Sequence, residues 1–206
     1  MNKPLGVILA GGLSRRMGGG DKALLLLDKK TILRHVIDRL ALQVSALAIN
    51  ANGESSRFSA YDLPVIADSI DGFAGPLAGV LAGLDWAAKQ GCSHIVTAAA
   101  DTPFFPLDLV QRLQDAAQET GAGLALAATK EAGRGLSRHP TFGLWPVALR
   151  EDLRTALNDG LRKVVAWTDA HDGASAQFEN AARDPFFNVN TPGDLTRAQD
   201  ILAGKD

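Results

Sequence analysis

The sequence predicts an α/β protein, a single domain of three layers in which helices cover a mostly parallel sheet. Three observations predict it. Short apolar runs alternate with amphipathic stretches along the chain, the pattern of a parallel sheet covered on its faces. The 206 residues suit one such domain (1–206) with a sizeable core, and no repeat, low-complexity tract or Pro/Ser-rich linker divides them. Glycines and polar side chains stand where the apolar runs stop, and an open α/β sheet places its ligands outside the carboxyl ends of its strands.

The elements follow in order. Residues 5–10 are unbroken apolar sequence and read as a buried strand. A glycine-rich segment follows, then an apolar stretch at 24–27 that turns at Asp28-Lys29-Lys30. Ile32, Leu33, Val36, Ile37 and Leu40 share one helical face. Residues 46–49 make a strand that stops at Asn50-Ala51-Asn52-Gly53, and 64–67 make another that ends at Asp68. Pro76 suits the first turn of a helix carrying Leu77, Val80, Leu81 and Leu84. Residues 94–100 are a buried strand ending at Asp101; Pro106 opens the next helix, with Leu109, Val110 and Leu113, and 124–128 are a further strand.

The second half is less regular. Residues 130–138 are polar and contain glycine, which predicts a mobile loop. Residues 142–145 read as a strand, 146–157 as a helix ended by Gly160, 162–167 as a shorter helix, and 186–190 as strand and loop. Thr191 has the form of an N-cap before Pro192, opening a last helix that runs to Ala203.

Composition excludes several classes. Hydrophobic content of 46% and charged content of 21% are ordinary for a globular chain. A net charge of −2 and a pI near 6.1 argue against a general nucleic-acid binder. Cys92, the single cysteine, cannot form an internal disulfide, so the expected compartment is reducing and the thiol reads as structural. The first apolar stretch is short and ends in Gly-Gly before Arg15-Arg16, unlike a signal peptide. No window reaches the roughly 18 apolar residues of a membrane span. The expectation is a soluble cytoplasmic protein with neither a membrane nor a nucleic acid as partner.

The chemistry concentrates first at residues 11–22, where Gly11, Gly12, Gly18, Gly19 and Gly20 surround Arg15, Arg16 and Lys22. A strand opening into such a loop lets backbone N–H groups approach a ligand, and the cations supply charge for phosphate oxygens. A flexible basic turn is the plainer alternative, but a turn needs only one or two glycines. A Walker-type loop fails, because Asp21 separates Gly20 from Lys22 and Ala23 stands where Ser or Thr should hold magnesium. The dinucleotide fingerprint fails too, since no Gly-x-Gly-x-x-Gly spacing starts at Gly11 or Gly12.

The strand-end rule brings Gly11-Gly12, Asn50, Asp68 and Asp101 to one edge. Asp101 can ligate magnesium, which takes one or two carboxylates plus phosphates and water; alternatively it caps a backbone N–H. Asp68 and Asn50 can equally be turn residues. Gly75-Pro76-Leu77-Ala78-Gly79 opens a helix whose N-terminus can meet ribose or phosphate, or is a plain Pro-initiated helix with small residues for packing. His35, His94 and His171 lack metal-ligand spacing, whereas His139-Pro140-Thr141 follows the expected loop.

These segments carry a resemblance. The glycine-rich stretch resembles the signature Leu-Ala-Gly-Gly-x-Ser-x-Arg-Met-Gly-x-x-Lys of nucleotidyltransferases that make nucleotide-activated cofactors and sugars. Gly-Gly-Gly-Asp-Lys at 18–22, Asn-Ala-Asn at 50–52, Asp68, Gly-Pro-Leu-Ala-Gly at 75–79, Asp101-Thr102-Pro103, His139-Pro140-Thr141 and Asn188-Val189-Asn190-Thr191-Pro192 look like the molybdenum cofactor guanylyltransferase pattern, in order. Gly-Pro-Leu-Ala-Gly and Asn-Val-Asn-Thr-Pro are the specific segments.

The resemblance implies a Rossmann-like nucleotidyltransferase fold and transfer of GMP from GTP to molybdopterin-bound molybdenum, with release of pyrophosphate. It implies that Leu9, Ala10, Gly11, Gly12, Arg15, Lys22, Asn50, Asp68, Gly79 and Asp101 bind GTP, with Asp101 on Mg2+. Asp68 would accept the guanine N1–H and N2–H, and the Leu9-Ala10-Gly11 backbone would meet O6. Asp101, Lys22 and Arg16 would be catalytic, and Asn188 and Asn190 would face the pterin at another strand end. Residues 1–105 would form mainly the GTP half and 106–206 mainly the pterin half. Transient contacts with molybdenum-insertion and molybdoenzyme-maturation proteins follow from the same resemblance. A CTP-dependent cytidylyltransferase, a sugar-1-phosphate nucleotidyltransferase and a nucleotide-binding regulator without turnover are the alternatives. Two departures stand out: Asp28-Lys29-Lys30 where the family often has a turn glycine, and Gly193 where it commonly has an acid, which would weaken the last helix's N-terminal charge.

Overall fold

The computed structural model describes residues 3–11, 21–70, 72, 75–131, 135–179 and 184–205. Gly12, Arg15, Arg16 and Gly18 to Gly20 lie outside the described residues.

One seven-stranded sheet organises the chain. Its strands are β1 (Leu5–Leu9), β4 (Leu47–Asn50), β5 (Val65–Ile66), β6 (His94–Ala99), β7 (Ala125–Glu131), β8 (Gly135–Pro146) and β9 (Ala174–Phe178), in the order β5-β4-β1-β6-β8-β7-β9. All pairings are parallel except those of β8, which runs antiparallel to both β6 and β7. A two-strand ribbon, β2 (Leu26–Leu27) and β3 (Lys30–Thr31), stands apart and turns at Asp28, whose φ of +58° is the left-handed conformation a glycine takes easily.

Successive strand residues point to opposite faces. Ile8 and Val96 join a cluster with Leu33, Val36, Leu109 and Leu113, so α1 (Ile32–Ala41) and α3 (Leu109–Thr120) cover one face. Val7 and Ile95 join Leu77, Leu81, Leu153 and Trp167 on the other, under α2 (Pro76–Lys89), α4 (Arg150–Asn158) and α5 (Val164–Ala170). The three layers are those expected. The predicted apolar stripe of α1 is fully used: Ile32, Leu33, Val36, Ile37 and Leu40 are all buried, each contributing about 1.5–3 kcal/mol by leaving water. The Thr31 hydroxyl starts that helix by accepting from the Arg34 N–H at 3.2 Å. α6 (Pro192–Leu202) packs through Ala198 on Leu27, Ile32 and Val189.

Several expectations are corrected. The helix after Pro106 begins three residues later, at Leu109. Residues 130–131 and 135–138 are strand, with Lys130 paired to Leu136 and Glu131 to Gly135, so these parts of the expected mobile loop are paired backbone, and residues 132–134 of it lie outside the described residues. The strand expected at 142–145 is part of the second half of β8, and the helix expected from Pro146 begins at Arg150 after a short 3-10 turn. β9, which no apolar run announces, pairs parallel with β7. Residues 186–190 hold no strand: Phe186 packs on His139 and Phe142, and the Val189 N–H donates to the Asp101 carbonyl at 2.8 Å. Gly193 does not leave the α6 terminus uncharged, because Asp194 completes a capping box with Thr191.

His139-Pro140-Thr141 gains a structural role. Leu126 pairs with Gly143 and Ala127 with His139, so residues 140–142 have no counterpart on β7. Pro140 lacks an N–H and suits that bulge. β8 pairs with β6 only as far as Thr97 and Gly143, and the chain at Phe186 and Val189 lies alongside, against His139, Phe142 and Asp101.

Candidate functional site

The carboxyl ends of β1, β4, β5 and β6 meet on one edge, as the strand-end rule requires. Two polar groups assemble there.

The first centres on Asp68. Asn50 closes β4 as a buried polar residue, and its Nδ2 donates to Ile66 O at 3.2 Å and to Asp68 Oδ1 at 3.0 Å. Asn52 Nδ2 donates to the other carboxylate oxygen at 2.7 Å, while the Asp68 N–H donates to Asn52 Oδ1 at 2.9 Å. Asp68 is therefore an oriented acceptor rather than a turn residue bonded to its own backbone. Each oxygen keeps lone-pair capacity for an incoming N–H.

α2 approaches this group so closely that only glycine fits at 79. A Cβ there would stand 2.3 Å from Asn50 Oδ1 and 2.8 Å from Leu9 Cδ2. Leu9 and Ala10 offer less than expected, because the Ala10 N–H already donates to Asn50 O and the Leu9 carbonyl accepts from Ala100. Gly11 is exposed, with Asn50 Oδ1 3.8 Å from where a Cβ would lie.

The second group centres on Asp101. Lys22 Nζ lies 2.5 Å from Asp101 Oδ2 and donates to Asn190 Oδ1 at 2.6 Å. Side-chain exposures of 22% and 15% keep this ion pair from full solvent screening. Thr102, wholly buried, donates to Asn188 Oδ1 at 2.5 Å and lies 3.2 Å from Asp101 Oδ1. Asn188 and Asn190 are thus neither at a strand end nor remote. They stand at Asp101, although Asn190 is 168 residues from Lys22 in sequence. Asp194 fixes the segment 186–190, a strap across this edge, by accepting from the Asn190 and Thr191 N–H groups at 3.0 and 2.8 Å. Burial alone would raise the Asp194 pKa, but these hydrogen bonds outweigh it and hold the carboxyl below its ordinary value.

Asp101 fits a hard divalent cation. Such an ion takes one or two carboxylates and completes its shell with phosphate oxygens and water, and Asp101 presents one carboxylate that already holds a cationic group. Among the described residues no cluster of three or more His, Cys, Asp or Glu side chains forms an all-protein cage. His35, His94 and His171 make ordinary contacts with Leu27 O, Ser93 and Asp152. No described helix is long and apolar enough to cross a membrane.

Residues 6–174 match the family model described as a MobA-like NTP transferase domain. The molybdenum cofactor guanylyltransferase of Bradyrhizobium sp. (strain ORS 278) is 50% identical over 204 residues, 98% of this chain and 94% of that protein. The enzyme of the same description from Rhodopseudomonas palustris (strain HaA2) is 52% identical over 201 residues, 96% of this chain and 92% of its own.

The chain belongs to the molybdenum cofactor guanylyltransferase family.

It is accordingly a nucleotidyltransferase. Among solved structures, molybdopterin-guanine dinucleotide biosynthesis protein A from Archaeoglobus fulgidus superposes with a TM-score of 0.72 at 23% identity, covering 97% of this chain and 99% of that one. The fold is also that of 4-diphosphocytidyl-2C-methyl-D-erythritol synthase from Anaerococcus prevotii, with a TM-score of 0.74 at 12% identity over 98% and 96% of the two chains.

In this guanylyltransferase family member the contacts of Arg57 also escaped sequence reasoning. Arg57 Nε lies 3.3 Å from Asp21 Oδ2, and an Arg57 Nη donates to Asn52 O at 2.9 Å. Asp21 meanwhile caps the turn that carries Lys22, accepting from the Ala23 N–H at 3.2 Å. No motif marks Arg57, an exposed arginine in a seven-residue 3-10 stretch.

Proposed function

We propose that this chain transfers GMP from GTP to molybdopterin-bound molybdenum, forming the guanine dinucleotide cofactor and pyrophosphate. The observation that carries the reading is the juxtaposition on one sheet edge of an oriented carboxylate, Asp68, and a lysine–carboxylate pair, Lys22–Asp101. Guanine presents two N–H donors side by side, and Asp68 offers two acceptor oxygens held from behind by Asn50 and Asn52. Gly11 would meet the base edge, and Gly79 lets the first turn of α2 close over the ribose. Arg15, Arg16 and Gly12, in the glycine-rich segment, would complete the triphosphate cradle with Lys22.

The pterin's terminal phosphate oxygen forms a bond to the α-phosphorus as the bond from that phosphorus to the bridging α–β oxygen breaks, and the electron pair leaves on pyrophosphate. The nucleophile is already anionic near neutral pH, so no general base is needed. Lys22 neutralises charge on the departing group, and Asn188 and Asn190 orient the pterin from the strap. Asp101 would hold Mg2+, which supplies Lewis-acid charge stabilisation when bound. The GTP half, mainly residues 1–105, and the pterin half, mainly 106–206, would meet at Lys22. The reaction belongs to the cytoplasm, with transient contacts to molybdenum-insertion and molybdoenzyme-maturation proteins.

The experiment is product identification. The protein is incubated with molybdopterin-bound molybdenum, magnesium and each of GTP, CTP, ATP and UTP, and the dinucleotide is read by mass spectrometry. The guanine dinucleotide should dominate; a cytosine dinucleotide would assign the chain to the CTP-dependent reaction instead.

A further inference from the structure

The group around Asp68 and the group around Lys22 and Asp101 are joined by a continuous path through two side chains that neither group contains, Arg57 and Asp21. Asp68 is bonded twice to the Asn52 side chain, the Asn52 carbonyl accepts from the Arg57 guanidinium, and the same guanidinium meets the Asp21 carboxylate. Asp21 caps the turn from which Lys22 reaches Asp101. Gly53, at a φ of +81°, turns the chain between Asn52 and Arg57, and a Cβ there would stand 3.4 Å from an Arg57 Nη.

We propose that Arg57 is a positioning residue that couples base reading at Asp68 to phosphate binding at Lys22. The inference rests on the nucleotide site proposed above. An arginine suits the task because its planar fork presents several fixed donors and can hold a carbonyl and a carboxylate at once. An ammonium is a compact point charge on a flexible stem and lacks that fixed fork. Arg57 also lies over the Phe58 ring at 4.7 Å, so a purely local role, shielding that buried ring, is the competing account. A local role predicts changed stability and no change in communication between Asp68 and Lys22.

A double-mutant cycle separates the two. Dissociation constants are measured with magnesium for the native chain, Asp68→Asn, Lys22→Gln and the double variant, then for the same four in an Arg57→Lys background. The titrant is whichever of GTP, CTP, ATP and UTP binds the native chain tightest. In the native background the double variant should depart from the product of the single losses by about threefold or more. With Arg57→Lys the losses should multiply, while the melting temperature stays near native. Asp21→Asn, which weakens the other end of the bridge and keeps an oxygen for the Ala23 N–H, should abolish the coupling in the same way.

Equal coupling in both backgrounds, or none in the native one, overturns the proposal. Tightest binding of CTP with coupling lost in Arg57→Lys would sink the GTP reading and leave Arg57 its role. Tightest binding of GTP with coupling unchanged would do the reverse.

Discussion

Gly79→Ala adds one methyl group where the structure has no room for it. The new Cβ would stand 2.3 Å from Asn50 Oδ1 and 2.8 Å from Leu9 Cδ2. Leu9 ends in a flexible methyl that can turn aside. Asn50 cannot move freely, because its amide nitrogen holds both Ile66 O and Asp68 Oδ1. Overpacking of a tight site costs about 1–3 kcal/mol, and two weakened hydrogen bonds add about 0.5–1.5 kcal/mol each. Alanine returns about 1 kcal/mol through its better helix propensity. The net loss should be about 1–5 kcal/mol, read as a lowered midpoint at unchanged slope in urea denaturation. GTP affinity should fall about tenfold, because Asp68 loses one of its two orienting partners. Adding Asn50→Ala removes the oxygen that collides, so the double variant should be more stable than the sum of the single losses by about 1 kcal/mol. Native stability and GTP affinity in Gly79→Ala, or strict additivity in the double variant, would refute the close approach of α2 as the reason for this glycine.

Further outcomes follow from the same geometry. Asp101→Asn keeps the shape of the side chain but removes the charge that holds Lys22, so melting should change little while magnesium-dependent pyrophosphate release falls about a hundredfold or more; near-native release would remove Asp101 from the reaction centre. Thr97→Val should cost about 1–3 kcal/mol in denaturation, because the buried Trp145 indole N–H donates to the Thr97 hydroxyl at 2.9 Å and would lose its acceptor; an unchanged midpoint contradicts this. Asp194→Ala should lose about 1 kcal/mol at pH 7 with the capping box. Since the folded-state pKa of Asp194 is lowered, that stabilisation is complete above the unfolded value of about 3.9 and is lost as pH falls through the folded one. The gap between Asp194→Ala and native should therefore narrow below about pH 4 in parallel acid titrations, and a gap constant with pH would count against it.

Much of the sheet was legible because its strands are buried on both faces and so read as apolar runs. Residues 5–10 and 94–100 needed no context, and the stripe from Ile32 to Leu40 matched one helical face in full. Legibility failed where pairing depends on the backbone. Lys130 and Leu136 are held in a hairpin by ladder bonds, and nothing in their polar surroundings announces a strand. In β9 the inward positions are Ala174, Ala176 and Phe178, and the two alanines make a weak period-two signal. The Phe-Phe-Asn-Val run at 186–189 misled in the opposite sense, because Phe186 is buried by ring packing and Val189 against Leu27 and Ile32, without any strand partner.

The site shows the same division. The convergence of Asn50, Asp68 and Asp101 on one edge was legible because a strand end is a place that sequence can locate. The contact of Lys22 with Asn190 was not, since it joins positions 168 residues apart through a strap set by the Val189 and Asp194 hydrogen bonds. Arg57 had no signal at all, as its contacts join two partners brought together only by the fold.

Calorimetric titration of the native chain with GTP, CTP, ATP and UTP, each with magnesium, tests the central claim most directly. One missing hydrogen-bond partner at Asp68 costs about 1–3 kcal/mol, so GTP should bind at least several-fold more tightly than CTP, and Asp68→Asn should erase most of that preference. Equal affinities for GTP and CTP, or a preference for CTP, would contradict the assignment of Asp68 as the acceptor that selects guanine.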